Sequence, residues 1–388
     1  MHRFSSPWGD LDLTRFPAEP REQLRAWDAA DAYALQHLAE TGAVTATGPG
    51  GPATTVVVGD RWGALTTALA AHGGTRPTLV TDSYLARQAT EANLRRNAPA
   101  AQITLLTTRD APPPRVDLLI VRVPKSLALL EDQLHRLAPA VHSGTTVLGT
   151  GMVSEIHTST LRLFERIIGP TTTSLAVRKA RLVFCTPALG LAPGPNPWPL
   201  RYALPEDIGV MSGRTVVNHA GVFCADRLDL GTRLLLGHLP RRTGPDRVVD
   251  LGCGNGVVGT AAALTNPAAE VLFTDESYQA VASAEETFAV NVPPGVKGEF
   301  AVGDVLSDVP PESVDLVLNN PPFHSHRATT EAAARRMFGA ARAALRPGGE
   351  LWVVGNRHLG YHVRLRRLFS ACDVVASTPK FILLRATK

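Results

Sequence analysis

Cysteine is scarce in this 388-residue chain, and its four cysteines do not group. Cys185, Cys224, Cys253 and Cys372 stand far apart and form no C-x-x-C pair. That spacing gives no sign of a disulfide framework and points to reduced thiols. Long apolar runs are missing too. None reaches the roughly 18 residues that a membrane-spanning helix needs. Met1 to Asp10 holds no basic segment followed by an apolar stretch, so no secretory leader is expected and the cytoplasm is the expected location. A strong charge bias is absent as well. The net charge of +4 permits a nucleic-acid partner without demanding one.

What is present is ample apolar content, 44% of residues, and a length that suits about two domains. One stretch organises the chain: Arg247-Val-Val-Asp-Leu-Gly-Cys-Gly-Asn-Gly-Val-Val-Gly-Thr260. Val248 and Val249 read as the end of a buried strand. Gly252, Gly254 and Gly256 alternate through a tight turn, and an Ala-rich helix follows. Glycine suits a turn where some residues take positive φ and a ligand approaches the backbone closely. Two ligand classes use such an element. Gly254, Gly256 and Gly259 with Asp275 satisfy the dinucleotide fingerprint. Asp250, Gly252, Gly254 and Gly256 fit the acidic-x-G-x-G-x-G pattern of S-adenosylmethionine sites, in which the carboxylate meets the cofactor's α-amino group.

The same element order occurs twice. Thr54–Val58, Leu79–Tyr84 and Val116–Val121 read as strands, with a helix over Ala64–Ala71 and another over 21–41. Gly59 to Asp82 is a step of 23, and so is Gly252 to Asp275. Val116-Asp-Leu118 matches Val314-Asp-Leu316, and Lys179 to Phe184 resembles Lys380 to Arg385. The chain reads as a tandem α/β duplication with parallel sheets. The copies part where chemistry belongs. Val57 stands for Asp250, Asp60 for Cys253, Arg61 for Gly254 and Trp62 for Asn255, and Arg122-Val-Pro-Lys125 stands for Asn320-Pro-Pro-Phe323. Residues 1–190 are therefore expected to form a degenerate domain that helps recognise the substrate. Residues 191–207, with Pro193, Pro195, Pro197 and Pro199, read as a stiff linker. Residues 208–388 read as the active domain, opening with a strand over Thr215–Asn218 and a helix over Thr232–His238.

Val314-Asp-Leu-Val-Leu-Asn-Asn-Pro-Pro-Phe-His324 chooses between the two ligands. Two prolines remove backbone donors and fix φ. Asn320 and the carbonyl of Pro321 then offer two acceptors to a planar amino group. Pro322 completes the turn, and Phe323 stacks on the ring that carries the amino group. Such a nitrogen is a poor nucleophile, and two acceptors tilt its lone pair toward a sulfonium methyl. Positioning and placed dipoles drive that displacement, and no strong base is required. A dehydrogenase has no use for this turn. The turn also serves adenine-N6, cytosine-N4 and glutamine-N5 methylation, so it leaves the acceptor open. Asn320 is a candidate cofactor contact as well as a catalytic one, and Asp275 ends the second strand as a candidate for the ribose hydroxyls. Asp304 ends the third as a candidate for the adenine amine. His324 and His326 are candidate substrate contacts, with no further ligand at metal spacing, so no metal is expected.

On Val248 to Gly256, Phe273 to Ser277, Asn320 to His324 and Phe223 to Leu236, the sequence resembles the RsmC/RlmG family of rRNA guanine-N2 methyltransferases. The resemblance covers nearly the whole chain. Val123 to Gln133, Gly151 to Thr160 and Gly355 to Tyr361 look closer to the large-subunit branch. It implies two tandem class I Rossmann-like methyltransferase domains, of which only the second is catalytic. It also implies methyl transfer from S-adenosylmethionine to N2 of a guanine in large-subunit rRNA. The chain departs from the family in an arginine-rich surface and the Pro-rich linker. Candidate RNA contacts are Arg178-Lys179-Ala-Arg181, Arg335-Arg336 and Arg364-Leu-Arg366-Arg367, each of which also reads as an ordinary solvated face.

Overall fold

The computed structural model describes residues 2–18, 23–44, 53–73, 75–322 and 327–388, the side chains of 327–330 excepted. It divides into two units, Met1–Pro197 and Trp198–Lys388. Each is built on a seven-stranded sheet. The first sheet holds β1 (Thr54–Val58), β2 (Arg76–Thr81), β3 (Thr104–Thr107), β4 (Val116–Arg122), β5 (Val141–Met152), β6 (Thr171–Thr173) and β7 (Ala180–Cys185). The second holds β8 (Arg247–Leu251), β9 (Glu270–Asp275), β10 (Lys297–Val302), β11 (Val314–Asn319), β12 (Leu345–Asn356), β13 (Ala371–Ser377) and β14 (Phe381–Thr387). The spatial orders are β3-β2-β1-β4-β5-β7-β6 and β10-β9-β8-β11-β12-β14-β13, one order used twice. In the second unit β10, β9, β8, β11 and β12 run parallel, and β14 pairs antiparallel with β12 and β13.

Strands covered on both faces need apolar residues at successive positions, and alternation sends them to opposite layers. Val248, Leu316, Leu318, Trp352 and Val354 join one cluster. Val249, Leu251, Val317, Leu351 and Val353 join the other. Full burial of each contributes roughly 1.5–3 kcal/mol.

Helices begin alike in the two units. The hydroxyls of Ser83 and Ser277 accept from the backbone N–H of Ala86 and Ala280, both at 3.1 Å. Gly63 and Gly256, both left-handed, open helices Ala64–His72 and Val257–Thr265. A Cβ on either would meet backbone of the next helix, Thr90 Cα at 2.7 Å or Ala284 Cα at 2.6 Å.

Three expectations change. The first helix spans Ala29–Thr41, because Asp28 caps it with a side chain that accepts from Ala30 and Asp31. Of the residues expected before it, 21 and 22 lie outside the described residues, and 23–28 are not helical. The helix expected over Thr232–His238 spans Leu230–Leu236, since Asp229 caps it earlier. The stretch 191–207 is not linker throughout. Leu200–Ala203 pairs antiparallel with Thr215–Asn218, and Tyr202 and Leu204 join a cluster with Val257 and Ala261 of the second unit. No helix among the described residues is long and apolar enough to cross a membrane.

Candidate active site

The glycine turn leaves the carboxyl end of β8, and the Asn-Pro-Pro turn leaves β11 beside it. Leu251 is level with Asn319, whose Nδ2 donates to the Leu251 carbonyl at 2.6 Å. In an open parallel sheet this edge is where ligands bind. Asp250 is buried at the end of β8, and its Oδ2 accepts from the Gly259 N–H at 2.7 Å. Burial pushes its carboxyl up to about 8, against that hydrogen bond and with a contribution from Asp275. Asp275 accepts from Gly254 N–H and Ser277 N–H, both at 3.1 Å. Burial raises its pKa too. The neighbouring Cys253 thiol is raised well above its ordinary value by burial, which keeps it from acting as a nucleophile.

The glycines of the turn have different tasks. Gly252, Gly254 and Gly256 all have positive φ (71°, 53° and 74°). A Cβ on Gly252 would meet Met337, and one on Gly256 would meet Ala284, whereas one on Gly254 would enter open space. The first unit retains Gly59 (φ 73°) and Gly63 (φ 82°) for Gly252 and Gly256 but carries Arg61 for Gly254. All three positions have a backbone that favours glycine, and at the two outer ones a Cβ would also meet a neighbour. At Gly254 the open space has room for a ligand.

Asn320 is fixed by residues that sequence reading passed over. Its Nδ2 donates to Asp229 Oδ2 at 3.2 Å and to Thr232 Oγ1 at 2.9 Å. Its Oδ1 is buried and has no hydrogen-bond partner among the described residues. Asp229 also caps its helix, accepting from Thr232 N–H at 2.9 Å. Pro321 is buried and Pro322 exposed. Phe323, His324 and His326 lie outside the described residues.

The remaining candidates fall elsewhere. Asp304 lies just beyond β10, where Arg336 pairs with its Oδ1, so Arg336 is engaged within the protein. Arg364 donates to the Glu331 carbonyl at 3.1 Å. Arg178 and Lys179 form an exposed hairpin tip, both with left-handed backbone (φ 49° and 65°), between Val177 and Ala180.

In the first unit, ion pairs fill the corresponding place. Arg122, at the Asn320 position, is wholly buried and pairs with Asp28 (2.7 Å), Glu155 (2.9 Å) and Asp31 (3.3 Å). Arg61, at the Gly254 position, pairs with Glu155 and Asp28.

Residues 1–189 match the family model of the RLMG N-terminal domain, and residues 213–385 match that of the methyltransferase small domain. A ribosomal RNA large subunit methyltransferase G of Streptomyces avermitilis is 67% identical over 385 residues, covering 99% of this chain and 98% of its own length. The chain belongs to the ribosomal RNA large subunit methyltransferase G family. Family members reach well beyond that genus. One from Stutzerimonas stutzeri is 45% identical over 395 residues and covers all of both chains. Among solved structures, the T. Thermophilus 16S rRNA methyltransferase RsmC, solved with AdoMet and guanosine, matches with a TM-score of 0.74. It covers 100% of this chain and 97% of its own at 21% identity, a likeness of fold.

Proposed function

We propose that this protein transfers a methyl group from S-adenosylmethionine to N2 of one guanine in large-subunit ribosomal RNA. The observation that carries the reading is the state of Asn320. Its amide donors are held by Asp229 and Thr232, while its buried oxygen has no partner among the described residues and can accept from an amino group. Family membership and the names of the relatives support rRNA as the substrate.

The second unit's residues fit the cofactor. Gly254 leaves room at the turn, Asp250 and Asp275 put carboxylates at the ends of β8 and β9, and Gly252 and Gly256 hold the turn's shape. Asp250 is assigned to the cofactor's amino-acid end and Asp275 to its ribose. Asp304 is assigned to the adenine amine, through the oxygen that Arg336 does not hold. When bound, S-adenosylmethionine supplies a methyl on a sulfonium; the N–C bond forms as the C–S bond breaks, and the sulfur keeps the electron pair. Asn320 Oδ1 and the Pro321 carbonyl hold the two N–H groups of the amine, so that its lone pair faces the methyl. Phe323 stacks on the base. The nitrogen then gives up one proton to water.

The target base must leave its stack to reach this turn, which costs a few kcal/mol unless it is already unpaired. Free or partly assembled rRNA in the cytoplasm is the assigned substrate, and Arg178, Lys179 and Arg364 are assigned to its phosphates. Asn320→Ala tests the reading. It is expected to bind cofactor normally by calorimetry and to transfer no tritium from labelled cofactor to rRNA. Undiminished transfer would overturn the role of Asn320 and favour a different acceptor site.

A further inference from the structure

We propose that Asp229 and Thr232 are positioning residues for the methyl transfer. They form a side-chain socket that fixes which end of the Asn320 amide faces the substrate. The inference rests on the function proposed above.

An asparagine amide has nearly identical ends, and rotation by half a turn exchanges donor for acceptor. A site that must accept from an amine cannot leave that choice free. Asp229 makes it by chemistry alone: an ionised carboxylate accepts and never donates, so the end of Asn320 at 3.2 Å from Oδ2 is the NH2 end. Thr232 supplies a second acceptor at 2.9 Å from the same nitrogen. Both N–H groups are thereby held, and Oδ1 is left for the substrate. The helix cap accounts for the bond from Thr232 N–H to Asp229, but not for the two bonds from Asn320.

The first unit repeats the arrangement with a different occupant. Asp28 caps its helix and Asp31 stands three residues on, as Asp229 and Thr232 do. Arg122, at the Asn320 position, directs its guanidinium at both. In each unit the cap residue accepts an N–H from the side chain at the end of the central strand, and the third residue after it lies against that side chain: Thr232 accepts from Asn320, whereas Asp31 Oδ1 stands 3.3 Å from Arg122 Nε as an ion pair without a hydrogen bond. Where that side chain is arginine, no acceptor remains. Where it is asparagine, one oxygen does.

Asp229 has a second consequence. Positive charge develops on the target nitrogen as it is alkylated. A carboxylate behind the Asn320 amide polarises it, making Oδ1 a stronger acceptor at that moment. A base presenting a carbonyl at this position would meet Oδ1 oxygen to oxygen and be rejected.

The test is a graded series in the full chain with rRNA as acceptor. Asp229→Ser keeps a good cap residue but shortens the reach to Asn320. Asp229→Asn keeps the shape without the charge, Thr232→Val keeps the shape without the acceptor, and Thr232→Ser restores it. Asp229→Ser and Thr232→Val are expected to lower kcat roughly ten- to a hundredfold, less than the roughly 10²–10³-fold that loss of a placed donor itself costs because they act through Asn320, with Asp229→Asn between them and wild type. Thr232→Ser should return kcat to near wild type. Cofactor Kd by calorimetry and Tm should stay at wild-type values throughout. A second readout needs no acceptor. The Asn320 side-chain amide protons should exchange slowly in wild type and quickly in Asp229→Ser and Thr232→Val. Wild-type kcat and slow amide exchange in both variants would overturn the inference, as would losses that track cofactor affinity and Tm and so mark a helix cap only. Were wild type to methylate another acceptor, the function proposed above would change, and the same series and exchange rates would still decide on the socket.

Discussion

At the scale of one residue, Gly254 is the glycine of the turn whose Cα faces open space, the place assigned to the cofactor. Its neighbours Gly252 and Gly256 face Met337 and Ala284 and are kept, as Gly59 and Gly63, in the unit that lacks the rest of the site. Only Gly254 has open space at its Cα and an arginine in its place in the first unit. Gly254→Arg is expected to lose cofactor binding and to lower Tm only modestly, the cost of a side chain at φ 53°; wild-type affinity by calorimetry would refute the pocket assignment. Phe323→Ala should weaken capture of the base by roughly 1–3 kcal/mol, read as a higher KM for rRNA or a lower kcat. Asp250, the glycines and Asn320 were legible in the sequence because rare residue types stand there at fixed short spacing. Asp229 and Thr232 were not. Their bonds to Asn320 span 91 and 88 residues, and an aspartate before a helix reads only as a cap. The signal that points to them is internal: Asp28 and Asp31 repeat their spacing ahead of Arg122.

At the scale of elements, the first unit keeps every strand of the second and closes the crevice at their ends with ions. Two guanidinium groups, Arg61 and Arg122, meet three carboxylates, Asp28, Asp31 and Glu155. Burial, only partly offset by Arg122, pushes the Asp31 carboxyl up from 3.8 to about 7. Burial also opposes ionisation of Glu155, but Arg122 and Arg61 outweigh it and hold the carboxyl at about 2 instead of 4.5. The signs are opposite. Asp31, being raised, contributes stability that is full below 3.8 and lost as pH rises through about 7. Glu155, being lowered, contributes stability that is present above 4.5 and lost as pH falls toward about 2. Denaturant melts of this unit's transition should show stability greatest between pH 3.8 and 4.5, falling as pH rises toward about 7 and as it falls toward about 2; a flat profile would contradict the cluster. Removing one member of such a buried cluster typically costs about 3–5 kcal/mol, the loss expected for Arg122→Met by the same melts. The strands were legible because buried parallel strands are apolar at successive positions. The linker was misjudged at its far end, because alternating Leu200 and Tyr202 sit just after a proline-rich run and pair with a strand that begins at Thr215.

At the scale of the whole molecule, one strand order is used twice, as the matching sequence steps of the two halves led one to expect. What each unit contributes to RNA is a matter of surface, and single arginine clusters carry little information about that in a sequence. Arg336 shows why: it reads as a phosphate contact and is engaged by Asp304. A chain of residues 198–388 alone is expected to bind cofactor with full affinity and to methylate rRNA poorly, as the assignment of substrate recognition to the first unit requires. Full activity from that fragment would show the first unit to be dispensable. The central claim is the reaction itself. Mass spectrometry of nucleosides from rRNA incubated with the protein and labelled cofactor tests it most directly. Label in N2-methylguanosine, mapped to the large-subunit RNA, is the predicted result; label in any other nucleoside, or none in RNA, would contradict it.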